Sequence, residues 1–384
     1  MVRVGFRIYR MDGDMSENSS WNGRIWMHGA SLGESRMLLQ LAKRFREPVL
    51  LTTHRSSNVE ALNKDIADDF IHVQKAPWPL KMSLTSQWKQ GKPRLAVFAE
   101  NEIWPGWISA CRKHQVPVHI VSAVFSEKAL HRWKWIPASL RNHIQSGIQE
   151  VHCQNTQEAL RWLQWGYTGA LRVGGDWKWL GMQTIHEIPT DDQWEQRPVD
   201  LLLVSIRKED WPKLAEGLEK LQEFGSRMVL IPRYPHEASW FQSKTKALKL
   251  QIPVVDIYGQ VLDWLNQSKL VVMGGGFGGR QTHNYREALL HCVPVIVGPH
   301  GGVLEPEIQQ LQKLGVVGRL SDLADLCIGR DGFDCFLPGF FPWVAKNAIP
   351  QAVESFRHPV KIAVQEWIRE AGLQSCAEIG IFAP

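Results

Sequence analysis

Four short stretches combine residue types that can move protons or hold phosphates. Ser31-Leu32-Gly33-Glu34 follows an apolar run and opens an amphipathic one. A glycine there lets the backbone turn tightly, and a carboxylate at a helix start is favoured by the dipole. Glu34 therefore reads either as a first-turn cap or as a general base. Glu100-Asn101-Glu102-Ile103-Trp104-Pro105 places two carboxylates at the end of another apolar run. Crowding can raise the pKa of one of them, and Pro105 suits a first helical turn. The plainer reading is one capping Glu and one ion-paired Glu. In Pro232-Arg233-Tyr234-Pro235-His236-Glu237, Arg233 is a fixed cation on a double-proline turn, suited to a phosphate unless the turn is only a turn. Met273-Gly274-Gly275-Gly276-Phe277-Gly278-Gly279 precedes His283-Asn284-Tyr285-Arg286-Glu287. Glycines after a strand let backbone N–H groups approach a phosphate, and a Glu one turn into the next helix can take ribose hydroxyls. The alternative is a flexible loop. The spacing is neither G-x-G-x-x-G nor a Walker loop, since no Gly-Lys-Ser/Thr is present.

The elements that must position these residues alternate between short apolar runs and helical patterns. Strand candidates are Arg24–His28, Pro48–Thr53, Phe70–Val73, Arg94–Ala99, Val116–Ser122, Glu150–Cys153 and Leu171–Val173. Residues Ile185 to Val199, with Pro189, Pro198 and several acidic and amide side chains, read as a linker. The alternation then restarts at Asp200–Val204, Arg227–Ile231, Pro253–Val255, Lys269–Met273 and Pro294–Val297. From Phe340 onwards the chain looks helical, interrupted by Pro350 and Pro359. The expectation is α/β: two Rossmann-like, doubly wound domains, 1–184 and 200–384, facing a central cleft. Ligands in such sheets bind at the carboxyl ends of the strands, where all four stretches fall.

Composition excludes several classes. The chain has 384 residues, enough for two domains given that single cores stop growing near ~250–300 residues. Lys plus Arg number 44 and Asp plus Glu 39, a net charge of +5 with no concentrated basic stripe, which gives no case for nucleic acid. The six cysteines form no CxxC pair and have no zinc-ligand spacing, so reduced thiols are expected. Met1 to Ser20 is polar, which argues against a signal peptide, and no segment approaches the ~20 apolar residues of a spanning helix. Any membrane contact is therefore expected to be peripheral. Tryptophan is abundant, 18 residues against 5 tyrosines, and can serve cores, sugar-stacking surfaces or membrane interfaces.

Taken in order, these motifs resemble the bacterial 3-deoxy-D-manno-octulosonic acid (Kdo) transferases of lipopolysaccharide synthesis. The pattern H-x-x-S-V-G-E is similar to His28-Gly29-Ala30-Ser31-Leu32-Gly33-Glu34. T-T-x-T-x-T-G-x-E resembles Thr52 through Glu60, and E-T-E-L-W-P, the most specific local match, resembles Glu100 through Pro105. V-x-G-N-x-K resembles Val173-Gly174-Gly175-Asp176-Trp177-Lys178, P-R-H-P-E-R resembles Pro232 through Glu237, and G-G-H-N-x-x-E resembles Gln281 through Glu287. The resemblance runs from about Arg24 to about Glu307. It departs from the family at Val124, where Arg is usual, at Pro79, where Asp is common, and at Gly259-Gln260-Val261, where the pattern is G-E-L. Ser205-Ile206-Arg207-Lys208-Glu209-Asp210 keeps a cation of S-T-H-x-G-E-E but loses its glycine.

The resemblance implies a GT-B fold and a metal-independent, inverting transfer of Kdo from CMP-Kdo to a lipid A precursor hydroxyl, with no cofactor. Carried over by position, Glu34 is the base, with Glu100 and Glu102 beside it as further catalytic candidates. Ser31, Gly33, Lys178, Ser205, Arg207, Pro232, Arg233, Gly274, Gly275, His283, Asn284 and Glu287 are the implied substrate and nucleotide contacts, with Glu287 at the ribose. Two alternatives stay open: a GT-B enzyme using another nucleotide sugar, and a non-catalytic nucleotide-sugar binder. The implied location is cytoplasmic, peripheral to the inner membrane. His131-Arg132-Trp133-Lys134-Trp135 interleaves aromatics and cations, so Trp133 and Trp135 are candidates for contact with anionic lipid unless the helix is half-buried.

Overall fold

The structure is a computed structural model and describes residues 21–66, 68–180, 188–256, 261–327 and 344–373. The chain divides into two compact units, one of Met1–Gly181 with Phe356–Pro384 and one of Met182–Ser355.

The first unit is built on strands β1 (Ile25–His28), β2 (Val49–Thr53), β3 (Ile71–Lys75), β4 (Leu95–Ala99), β5 (Val118–Ala123), β6 (Glu150–Cys153) and β7 (Ala170–Val173). They form one sheet in the order β3-β2-β1-β4-β5-β6-β7, with every pair parallel. Parallel sheets need both faces covered, and the period of two distributes each strand between two cores. Trp26, Leu50, Phe98 and Ile120 point to one core, while Ile25, Met27, Leu51 and Val97 point to the other. The strand order reverses between β1 and β4. Their carboxyl ends therefore flank the switch-point crevice where ligands of doubly wound sheets bind.

The second unit carries β8 (Val199–Ile206), β9 (Met228–Pro232), β10 (Ser268–Met273), β11 (Val295–Val297) and β12 (Val317–Arg319) in the order β12-β11-β10-β8-β9, again all parallel. Its reversal lies between β8 and β10. Among the described residues no helix is long and apolar enough to cross a membrane.

The structure corrects the sequence reading at several elements. Pro253–Val255 is not a strand: it makes one isolated bridge, Leu230 to Val254, because Pro253 has no N–H to donate. The last strand is instead Val317–Arg319, a three-residue edge too short to show periodicity. The expected linker contains a short helix, Asp191–Glu195, capped by Thr190 with buried Trp194, and Val199 already opens β8. Residues 185–187 of that stretch and Gly259–Gln260 lie outside the described residues.

Near the C-terminus, Ile349–Glu370 is a single helix through both prolines. From Phe356 it belongs to the first unit rather than to the second, as the expected 200–384 boundary had it. Burial explains this. Val360, Val364, Trp367 and Ile368 complete the core under β1 and β4, and Trp367 Nε1 donates to His119 Nδ1 at 2.9 Å.

Candidate functional site

Six non-glycine residues have a left-handed backbone: Glu100, Gln115, Ser122, Ser205, Lys249 and Cys292. Three of them, Gln115, Lys249 and Cys292, directly follow helix C-caps, where this conformation is the ordinary terminator. The other three stand at the carboxyl ends of β4, β5 and β8. Register shifts accompany two of them, between Ile120 and Ala123 and between Val204 and Ile206. Such bulges re-aim strand ends, and strained non-glycine backbone concentrates at binding sites.

On the first unit this strain surrounds a carboxylate cluster. Ser31 caps the helix Leu32–Ala42 in a capping box: its hydroxyl accepts from Glu34 N at 3.2 Å. Glu34 Oε2 accepts from Ala30 N at 2.8 Å and Ser31 N at 3.3 Å, and Oε1 accepts from Ser31 Oγ at 2.7 Å. Those bonds use three of a carboxylate's roughly four acceptor sites. Gly33 is not needed for a tight turn, since a Cβ there would meet only Ser31 Oγ, at 4.0 Å.

Glu100, at the end of β4, pairs with the Lys178 ammonium. Burial pushes the Glu100 carboxyl up to about 7, with Glu34 and Asp176 adding to the rise and Lys178 opposing it. Asp176 orients the lysine segment: its Oδ1 accepts from Ser122 Oγ at 2.8 Å and from Lys178 N at 3.0 Å. The expected pair Glu100 and Glu102 is thus divided. Glu100 faces Glu34 and Lys178. Glu102 accepts from Trp104 Nε1 at 2.5 Å and lies 3.5 Å from His28 Nε2 and 3.9 Å from His54 Nε2. Burial raises the Glu102 carboxyl, but His28, Trp104 and His54 together bring it below the usual range. Burial and neighbouring His28 lower His54 to about 4. His28, His54 and Glu102 bring three potential ligand atoms within 4.8 Å of one another.

On the second unit the organiser is Asp210, which is fully buried. Its carboxylate accepts from Arg207 N at 2.9 Å, Gly275 N at 2.8 Å and Gly278 N at 2.8 Å, tying the end of β8 to the glycine loop after β10. A Cβ on Gly274 would lie 2.4 Å from the Ser205 carbonyl oxygen, so only glycine fits against that strand end. Arg207 Nε donates to His283 Nε2 at 3.0 Å. Burial, with Arg233 and Arg207 nearby, lowers His283 to about 4, and a neutral ring is what that bond requires. Tyr234 sits under both guanidiniums, 5.4 Å from Arg207 and 6.0 Å from Arg233. Pro232 ends β9, and Arg233 N donates to Ile206 O at 2.9 Å. Two cations and an imidazole thus gather at the β8–β10 reversal, an arrangement suited to a phosphate. The next helix begins at Arg286, with Asn284 Oδ1 accepting from Arg286 N at 3.2 Å. Glu287, in its first turn, is exposed.

Sequence reasoning missed Asp176, Asp210 and the two histidines as parts of these sites. All four stood inside quoted motifs. Asp210 closed the Ser205–Asp210 stretch, but no role was read from it.

Trp133 corrects a second expectation. It is 9% exposed and packs on Trp165 at 5.1 Å, because Ala129, Leu130 and Trp133 form the inward stripe of the helix Glu127–Lys134. Trp135 is 77% exposed.

Comparison with known proteins agrees with the fold. The family model for 3-deoxy-D-manno-octulosonic-acid transferase (kdotransferase) matches residues 3–180. The 3-deoxy-D-manno-octulosonic acid transferase of Bordetella pertussis is 26% identical over 307 residues, 72% of this chain and 71% of that protein. The solved structure of Anabaena Alr3699/HepE in complex with UDP superposes with a TM-score of 0.62 at 14% identity, covering 91% of this chain and 99% of that one. UDP-GlcNAc 2-epimerase from Neisseria meningitidis bound to UDP-GlcNAc superposes at 0.56 with 14% identity, over 88% and 99%. These structural likenesses establish the fold: two parallel sheets, each flanked by helices, in the GT-B manner. By family-level homology the chain is related to the Kdo-transferase-like glycosyltransferases of the GT-B class.

Proposed function

We propose that the protein transfers Kdo from CMP-Kdo to a hydroxyl of a lipid A precursor, with inversion at the anomeric carbon. The observation that carries this reading is the placement of Glu34 beside Glu100 and Lys178 at the switch point of the first sheet, in a chain homologous to Kdo transferases. The acceptor oxygen attacks the anomeric carbon, and Glu34 takes the hydroxyl proton on its remaining lone-pair site. The bond from that carbon to the CMP phosphate oxygen breaks, and its electron pair leaves with CMP. Arg207 and Arg233 meet the negative charge that develops on the leaving phosphate, where fixed cations stabilise the transition state most. Asp210 fixes the shape of the glycine loop by accepting from Gly275 N and Gly278 N, so its part is to position the loop beside the phosphate rather than to leave those two donors to it. Glu287 takes the ribose hydroxyls. Work at the cytoplasmic membrane face, with Trp135 against anionic lipid, belongs to this reading.

The test is the full-length protein with CMP-Kdo and tetraacylated lipid A precursor. Release of CMP that requires the acceptor supports the reaction. Release at the rate of spontaneous donor hydrolysis overturns it. The solved neighbours in complex with UDP and UDP-GlcNAc support a second reading in which another nucleotide sugar is the donor. A panel of UDP-sugars in the same assay separates the two.

A further inference from the structure

The sheet order β2-β1-β4 sets His28, His54 and Glu102 side by side, one from each strand's carboxyl end. The histidine side chains are 0% and 3% exposed, and that of Glu102 is 17% exposed.

The hydrogen bonds around Thr52 hold the His28 ring in place. Thr52 Oγ1 contacts Met27 O at 3.2 Å, Trp26 Nε1 at 2.9 Å and His28 Nδ1 at 3.0 Å. A hydroxyl has one proton, a carbonyl can only accept and an indole N–H can only donate. The one hydroxyl proton goes to Met27 O or to His28 Nδ1, and either arrangement fixes the ring. His28 Nε2 is buried and has no hydrogen-bond partner among the described residues, 3.5 Å from a carboxylate oxygen of Glu102. A buried imidazole nitrogen at that distance from a carboxylate is satisfied by a cation lying between them.

We propose that His28, His54 and Glu102 form a binding site for one divalent transition-metal cation of the zinc class. Two imidazoles and a carboxylate are a borderline-soft donor set, which suits zinc or cobalt rather than magnesium or calcium. Tetrahedral bonds of about 2.1 Å require ligand atoms about 3.4 Å apart. The two separations to Glu102, 3.5 and 3.9 Å, are close to that spacing already. Outer contacts orient the ligands: Thr52 fixes the His28 ring, and Trp104 Nε1 holds Glu102. Three protein ligands leave a fourth position open, and the partly exposed edge of Glu102 gives a route to it. The family resemblance does not prescribe this trio, since His54 stands at a variable position of the T-T-x-T pattern. The bound ion ties together the ends of β1, β2 and β4, from which Glu34 and Glu100 project. It is thus a positioning centre, distinct from the proton and phosphate steps above.

Cobalt(II) titration of the untagged, chelator-treated full-length protein tests this. One equivalent bound per chain, with visible d–d absorption of a low-coordinate cobalt centre and displacement by zinc, is expected. His54→Leu and Glu102→Gln are expected to lose that absorption. Thr52→Val, which keeps the side-chain volume, is expected to weaken binding by about 10–100-fold. Should the ligand variants fail to fold, the imidazole nitrogen resonances of His28 and His54 in the wild-type protein decide, since both must move on zinc addition. No stoichiometric binding, or an absorption band unchanged in the folded variants, overturns the proposal.

Discussion

At the scale of single residues, Glu34 serves the helix cap and the proposed proton transfer at once, and a conservative change separates the two roles. Gln keeps the reciprocal hydrogen bonding at the third helical position but cannot take a proton. Glu34→Gln is therefore expected to lower acceptor-dependent CMP release by about 10²–10⁴-fold. The melting temperature and CMP affinity, by calorimetry, should stay near wild type. His283 offers a second test. Its folded-state value of about 4 lies below the ordinary 6.5, so the unfolded chain takes up the proton first as pH falls. Its contribution to stability is present above pH 6.5, is lost progressively between 6.5 and 4, and changes no further below that. An NMR titration of the His283 ring should show the depressed midpoint, and CMP should raise it, because a phosphate dianion offsets Arg207 and Arg233. A midpoint near 6.5 without ligand, or one that CMP leaves in place, would show that the guanidiniums do not face a phosphate site.

At the scale of elements, Asp210 joins β8 to the glycine loop through three backbone donors. Asp210→Asn sets an amide N–H against some of those donors and leaves a buried group unpaired. The expected cost is about 1–3 kcal/mol in denaturant unfolding, together with weaker CMP binding from a looser loop. Unchanged CMP affinity would show that the loop's shape does not depend on the aspartate. The C-terminal helix makes a second case. Trp367 is fully buried against the first sheet, beside Phe45 and Trp177. Trp367→Ala should destabilise by about 3–5 kcal/mol, read as a lower unfolding midpoint. The strand runs were legible in the sequence because parallel strands buried on both faces are continuous apolar segments. The helix's docking partner was not, because an amphipathic stripe states that a face is buried and never against what.

At the scale of the whole molecule, most of the tryptophan excess belongs to cores. Trp26 alone makes edge-on contacts with Trp21, Trp88, Phe98 and Trp107. In the proposed function, surface attachment falls to exposed residues such as Trp135. Trp135→Ala should alter stability by no more than about 0.5 kcal/mol. It should weaken association with anionic vesicles, in a binding that also falls with added salt. Trp133→Ala should instead destabilise the fold, so a vesicle effect shared equally by two well-folded variants would contradict this division. By itself the sequence determined the α/β class, the strands of the first sheet and the order of the motifs, because periodicity, glycine placement and residue type are local properties. Only the tertiary structure decided that Glu100 rather than Glu102 meets Glu34 and Lys178, that Asp210 braces the glycine loop, and that two histidines from different strands converge on one carboxylate. Each of these depends on strand order and on left-handed turns at strand ends, which juxtapose residues far apart in the chain. No local pattern encodes that juxtaposition, since hydrogen bonds and ion pairs form between side chains according to distance in space.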